Sequence, residues 1–600
     1  MGHSDNTAEA FAARAEEALR AGNYLLCYDL VDQAQRLGLH TRRLDYLSLL
    51  ALANAGSTEF AWRRYRGLGL REEEIDEDWL ALQGRLLKDL ALAGGERRDF
   101  LAAAEAYLAA FRQTGGYFTA INAASMFLLA GDTDASHRLA REVLALAAGT
   151  APADDTDHYY LRASEAEAAL LLGDAARCRR SLREADALAL GNVHARSRTR
   201  QQLRLICRHL RIDDEFSALL GLPALFYIER GAAEIPLAFG ADRTAPAAHG
   251  LDPASCAGAR VHAPLLQPAD LCAAEYFLAR GARLSLVLPA ARKPLIERWQ
   301  QRFGAGWAMR LARCLEQVGE ITAAQGFLED EQDWAGGHVA AMAQGLARLS
   351  AQRLGSPCRR VALAAAANPP GYWLNAEGDC GGAAALPPPR PAQQAGAVPR
   401  RSVGLIFADI AGFRRLRDED MPHFWSLVMG GLARIVDQHG GKVLFRHTWG
   451  DALNVVTEDA ATAADIAIAV QGCIEDIRRQ ESGTLAGIEL RLAAHFAPAF
   501  AGHDPVEKVD NYYGSQLSFT ARIEPVTPPG MIFVTEAFAA RLALEAPERF
   551  SAEYAGEVEL AKHFGKYRLF SLHSAERRRS ARLQLAGGTE AGARPLPKSA

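Results

Sequence analysis

Two aspartates in the last third of the chain stand where a pair of carboxylates could hold hard cations. Asp409 closes the apolar run Val403-Gly-Leu-Ile-Phe-Ala-Asp409 and is followed by Ile410-Ala-Gly-Phe413. This is the pattern of a buried strand that ends in an acid, then a glycine, then a helix. Asp451 lies in Trp449-Gly-Asp-Ala452, between the β-prone runs Lys442–Thr448 and Leu453–Val456. That reads as a β-hairpin whose tight turn presents a carboxylate. Acids at the ends of two adjacent strands offer the oxygen ligands that magnesium-like ions take, and substrate phosphates complete the shell. Taken singly, each is also ordinary strand-end or turn chemistry.

The downstream blocks give the pair its meaning. Arg491-Leu-Ala-Ala-His-Phe496 reads as another strand. It is followed by Asn511-Tyr-Tyr-Gly-Ser-Gln-Leu-Ser-Phe-Thr-Ala-Arg-Ile-Glu524 and then by Gly530-Met-Ile-Phe-Val-Thr535. In this order, the region from about 400 to 572 resembles the class III nucleotidyl cyclases, the adenylate and guanylate cyclase family. The resemblance implies attack of a ribose 3′-hydroxyl on its own α-phosphate with loss of pyrophosphate, in a head-to-tail homodimer. It implies that Asp409, Asp451 and the Ile410 carbonyl hold two Mg²⁺ or Mn²⁺ ions. It also matches Arg522 to the family's transition-state arginine and Lys562, with Lys566 as the alternative, to its triphosphate lysine.

Three positions depart from the family pattern. The base-reading residue four places before the second aspartate is His447, and its usual aspartate partner is Asn511. Both side chains can donate or accept, so neither dictates one base. Ser518 stands where the family has a transition-state asparagine, and it is shorter. ATP is the expected substrate on family frequency, with GTP and pyrimidine triphosphates left open. The alternative reading is a catalytically weak or inactive nucleotide-binding and dimerisation module.

The elements that must position these residues follow from periodicity. After residue 400 the order is strand (403–408), helical stretch (413–439), hairpin (442–456), helix (460–480), strand (488–496), loop, helix (516–524) and strand (531–535). This contains the β-α-β-β-α-β order of a ferredoxin-like α+β core, assigned to residues 401–573. Upstream, residues 1–212 are rich in Ala, Leu, Arg and Glu at helical spacing. Their turns recur at Ala21-Gly-Asn23, Ala130-Gly-Asp132 and Leu172-Gly-Asp174. An all-α solenoid resembling tetratricopeptide repeats is expected, with a concave face suited to a protein partner. Residues 215–367 alternate strands with helices, which predicts a Rossmann-like α/β domain with a regulatory or interaction role. Pro- and Gly-rich residues 368–400 read as a linker, and residues 574–600 as a disordered tail.

Composition bounds the rest. Six hundred residues exceed a single core. A net charge of −5 gives no basic field for nucleic acid. The nine cysteines and sixteen histidines are dispersed, without disulfide or zinc spacing. No apolar run reaches membrane-span length. A cytoplasmic protein that engages neither membrane nor nucleic acid is the expectation.

Overall fold

The computed structural model describes residues 7–574 apart from 21–23, 55–57, 71–75, 93–95, 189–192, 230–246, 250, 329–330, 368–369, 381–397 and 561–564. The chain divides into two compact units, one chiefly residues 1–222 and the other chiefly 223–573.

The first unit is helical among its described residues. Its helices are α1 (Ala8–Arg20), α2 (Tyr24–Arg36), α3 (Arg42–Asn54), α4 (Thr58–Gly67), α5 (Glu77–Leu92), α6 (Arg97–Thr114), α7 (Tyr117–Leu129), α8 (Thr133–Gly149), α9 (Asp155–Leu171), α10 (Ala175–Leu188) and α11 (Val193–Leu210). The repeated turn has one physical cause. Gly131 and Gly173 adopt left-handed conformations, φ 80° and 78°, which a residue with a Cβ resists. The next amide then reaches back, Asp132 to the Phe127 carbonyl and Asp174 to Ala169, both at 2.9 Å. The aspartate side chains start the following helices by accepting from Ala135 and Arg177.

The second unit holds two sheets. The first comprises β1 (Leu225–Ile228), β2 (Ala247–His249), β3 (Arg260–Pro264), β4 (Arg283–Leu288), β5 (Glu320–Ala323), β6 (Cys358–Ala367) and β7 (Pro370–Asp379). Their order is β2-β7-β6-β1-β3-β4-β5, and β6-β1-β3-β4-β5 is parallel. Helices α12 (Pro268–Leu278), α13 (Arg292–Phe303) and α14 (Ala305–Gln317) pack on one face. Helix α15 (Gln332–Leu354) covers the other. The layers match the α/β expectation. The parallel strands share one feature with the doubly wound order 3-2-1-4-5-6, a walk outward from the first strand and a return beyond it, while the antiparallel β6–β7 pair sets the sheet apart. Here the chain steps outward from β1 through β3 and β4 to β5 and returns beyond β1 with β6, while β2 lies at the opposite edge beside β7. The expected linker also begins later than predicted. Pro370–Asp379 pairs antiparallel with β6, with its proline at the first strand position, where no ladder donor is needed. Most of the remaining linker lies outside the described residues.

The C-terminal domain is built on β8 (Arg400–Ala411), β9 (Val443–Trp449), β10 (Ala452–Thr457), β11 (Glu489–His503), β12 (Asp510–Tyr513), β13 (Met531–Thr535), β14 (Phe550–Leu560) and β15 (Gly565–Ser574). The order β14-β15-β13-β11-β8-β10-β9, with β12 on β11, is mixed, since β11 and β13 run parallel. Ile406, Ala408 and Ile410 of β8 and Leu490, Leu492 and Ala494 of β11 pack under α18 (Ala460–Gln480) and α17 (Gly430–Asp437). The short α16 (Met421–Phe424) and a π-helical turn at Trp425–Met429 precede α17, where one continuous helical stretch was expected. Helix α19 (Ser515–Ile523) lies on the opposite face, and α20 (Glu536–Glu545) joins the core side.

The α/β domain and this domain share a buried seam. Ala540 of α20 belongs to the same apolar cluster as Val339, Met342 and Leu346 of α15. A Cβ on Gly345 would lie 2.1 Å from the Ala540 carbonyl oxygen, so only glycine permits this helix crossing.

Candidate active site

The first acid owes its place to strand alternation. Ile406, Ala408 and Ile410 point into the core, which turns Asp409 to the other face. There Asp409 stands opposite Arg491 in the β8–β11 ladder. The second acid owes its place to the hairpin. Trp449 pairs with Ala452, leaving Gly450 and Asp451 as a two-residue turn, and Gly450 takes the positive φ of 64° that such turns need. The register Leu453↔Ala408 brings this turn beside the end of β8. The Asp409 charge acts on Asp451 across this corner. Burial and the Asp409 charge push Asp451 above the usual carboxylate range, and Arg414 opposes them.

Sequence reasoning missed a third carboxyl. Glu524 follows α19, is buried, and has an Oε1 without a hydrogen-bond partner among the described residues. Burial and the charges of Asp409 and Asp451 raise it to about 7, against the pull of Arg491. Its position two residues after Arg522 reads as half of a surface ion pair, and nothing in the local sequence shows that it faces the aspartates.

The other expected residues fall into two groups. Ser518 and Arg522 are one helical turn apart on α19, whose Phe519, Thr520 and Ile523 face inward. His447 on β9 has Nε2 3.8 Å from Glu507, and Asn511 on β12 donates to Asp504 at 3.3 Å. One loop between β11 and β12 therefore ties both base-reading candidates. The Ile410 side chain is buried in the core, and its backbone sits between Asp409 and the left-handed Gly412. Lys566 is exposed at the start of β15, and Lys562 lies outside the described residues.

The structure brings Asp409, Asp451 and Glu524 near one another, sets Ser518 and Arg522 on α19, and ties His447 and Asn511 to one loop. Residues 397–574 match the family model for the adenylate and guanylate cyclase catalytic domain. The C-terminal domain is a class III cyclase domain. Residues 23–129 match the model for Tetratricopeptide Repeats-Sensor. Among solved structures, the adenylyl cyclase CyaB from P. aeruginosa aligns at 16% identity over 30% of this chain and 96% of that chain, with a TM-score of 0.26. The guanylate cyclase domain of RhGC from Catenaria anguillulae, in complex with GTP, aligns at 21% identity over 29% and 96%, with a TM-score of 0.25. The guanylyl cyclase Cya2 aligns at 19% identity over 29% and 93%, with a TM-score of 0.24. No curated protein matches the chain. Among the described residues, no helix is long and apolar enough to cross a membrane.

Proposed function

We propose that the cyclase domain converts a nucleoside triphosphate, with ATP first, to a 3′,5′-cyclic nucleotide and pyrophosphate at a homodimer interface. The reading is carried by the facing carboxyls of Asp409 and Asp451 at the end of a catalytic-family strand and hairpin. Their donor set is oxygen only, and their mutual repulsion is what a divalent cation relieves. Asp409, Asp451 and the Ile410 carbonyl would hold two Mg²⁺ or Mn²⁺ ions. Such ions supply Lewis-acid activation of the 3′-hydroxyl and charge neutralisation at the leaving pyrophosphate.

The chain's own residues do the rest. Arg522 offers a planar fork of donors to the α-phosphoryl oxygens as negative charge builds there. Ser518, on the same helix face, donates through its hydroxyl at shorter reach than an asparagine. His447 and Asn511 orient the base, and the loop that holds them through Glu507 and Asp504 sets which edge they present. Lys562 binds the triphosphate. The homodimer is supported by apolar side chains beside the site, Trp449 being 83% and Val506 86% exposed. The upstream α/β and repeat domains regulate the output, the repeats by engaging a protein partner.

The test is incubation of the full chain with ATP, GTP, CTP and UTP plus Mn²⁺, with cyclic products read by mass spectrometry beside Asp451→Ala. One cyclic product lost in the variant supports the reading. Absence of product with nucleotide binding intact favours the second reading, a non-catalytic module, for which Ser518 is the specific observation.

A further inference from the structure

The loop that leaves β5 runs from the α/β domain onto the cyclase domain at the first residue of the catalytic strand. Arg400 is buried there. Its guanidinium pairs with Glu331, the residue preceding α15, and donates to the Gly326 carbonyl. Glu331 also accepts the Leu328 amide at 2.8 Å, so the carboxylate is fixed by its own loop. The guanidinium lies 4.3 Å from the Phe500 ring centroid and 5.9 Å from that of Trp334. Phe500 is the register partner of Arg400 across β8 and β11.

Phe500 in turn stacks on Tyr513, with centroids 5.5 Å apart and planes 12° apart. Tyr513 belongs to β12, the strand of Asn511, and is followed by Gly514 and α19. A second contact reaches the same helix. Gly326 sits against Gln516, so closely that a Cβ would lie 2.8 Å from its Cγ. Gln516 is held from below, its Oε1 3.0 Å from His495 Nε2, whose other nitrogen meets the Thr535 hydroxyl at 2.8 Å. The first turn of α19 is thus gripped between the catalytic sheet and a loop of another domain.

We propose that Arg400 is a positioning residue through which residues 324–328 and Glu331 of the α/β domain set the placement of Asn511, Ser518 and Arg522. This inference rests on the cyclase reading for its kinetic consequence but not for its structural one. A buried ion pair with a removed partner loses its geometry, because the remaining charge seeks water. A lysine at 400 keeps the charge and lacks the fork that grips Glu331 and Gly326 together.

The experiment uses the full chain and compares wild type with Arg400→Lys, Glu331→Gln and Arg400→Ala. Two readouts are taken, kcat and KM for the triphosphate, and amide hydrogen exchange. A transition-state arginine displaced by part of an ångström lowers kcat by about 10- to 100-fold, and KM is expected to change little. Exchange across residues 511–523 is expected to quicken, with residues 460–480 unchanged. Unaltered exchange at 511–523 with unaltered kcat would overturn the proposal, as would faster exchange spread evenly over the domain. If the wild type makes no product from any triphosphate, the cyclase reading fails, and the exchange data alone decide the positioning role. Where Arg400→Ala does not fold, the lysine and glutamine variants still give both readouts.

Discussion

At the β9–β10 end of the catalytic sheet, Trp449 and His447 stand open beside Asp451. Elsewhere in the same domain, Phe496 of β11 and Ala540 of α20 are sealed against α15. The sheet therefore has one flank covered by its own chain and one that leaves large apolar side chains such as Trp449 exposed. The closed flank is densely tied. It combines a helix crossing without a Cβ, an Arg400–Glu331 ion pair, and a polar knot in which Arg568 donates to Thr322 at 2.8 Å and Thr322 to Glu536 at 2.8 Å. The open flank carries Asp451, and His447 lies on the same hairpin. The proposed chemistry lies on the flank that the chain leaves exposed, and the chain's own contacts cover the other.

The largest test of this contrast is at Arg522. Replacement by alanine is expected to lower kcat by about 10²- to 10³-fold, the cost typical of losing one oxyanion donor. The melting temperature is expected to stay within a degree or two of wild type, since the residue is not in the core. A collapse of stability in place of rate would put Arg522 among the structural side chains. Next in size is Gly345→Leu on the closed flank. Forcing a side chain against the Ala540 backbone is expected to cost about 1–3 kcal/mol in urea unfolding, and an unchanged midpoint would show that the seam is not tightly closed.

Trp449→Ala probes the open flank alone. Stability is expected to change by less than about 0.5 kcal/mol, while sedimentation shows a shift from dimer to monomer and activity becomes dependent on protein concentration. The smallest effect concerns acid. His338 of α15 stacks on Phe496, and burial, followed by the nearby His495 and Arg541 charges, lowers it to about 3. The unfolded chain binds this proton near pH 6.5 and the folded chain does not. The stability is therefore complete above about pH 6.5 and is lost progressively as pH falls toward 3. Thermal melts from pH 8 to 5 should show a shallower decline in His338→Phe. Equal slopes would place the acid sensitivity elsewhere.

What was legible in the sequence was local. Asp409 followed from the apolar run that it closes and Asp451 from a glycine turn, while Ser518 and Arg522 lie one helical turn apart because four residues make about one turn. The Gly-Asp turns of the repeats carried their own caps. What was illegible depended on distance along the chain. Gly345 looks like a weak point in a helix until Ala540, far away in sequence, is set against it. Arg400 looks like the end of a proline-rich linker, because its partners Glu331 and Phe500 lie in other domains or strands. Glu524 looked exposed because its polar type hides its burial. The strand order of the α/β sheet likewise depends on β6 returning past β1, and periodicity is silent on such returns.

The placement of Arg400 has a practical corollary for anyone who isolates the catalytic portion. The family match begins at residue 397, three positions before the arginine that the neighbouring domain holds. A fragment cut there keeps every candidate catalytic residue yet strips the cover from Phe496, Ala540 and the Arg400 guanidinium. Its solubility and turnover would then report on a wound surface, and inactivity of the fragment would say nothing about the intact chain.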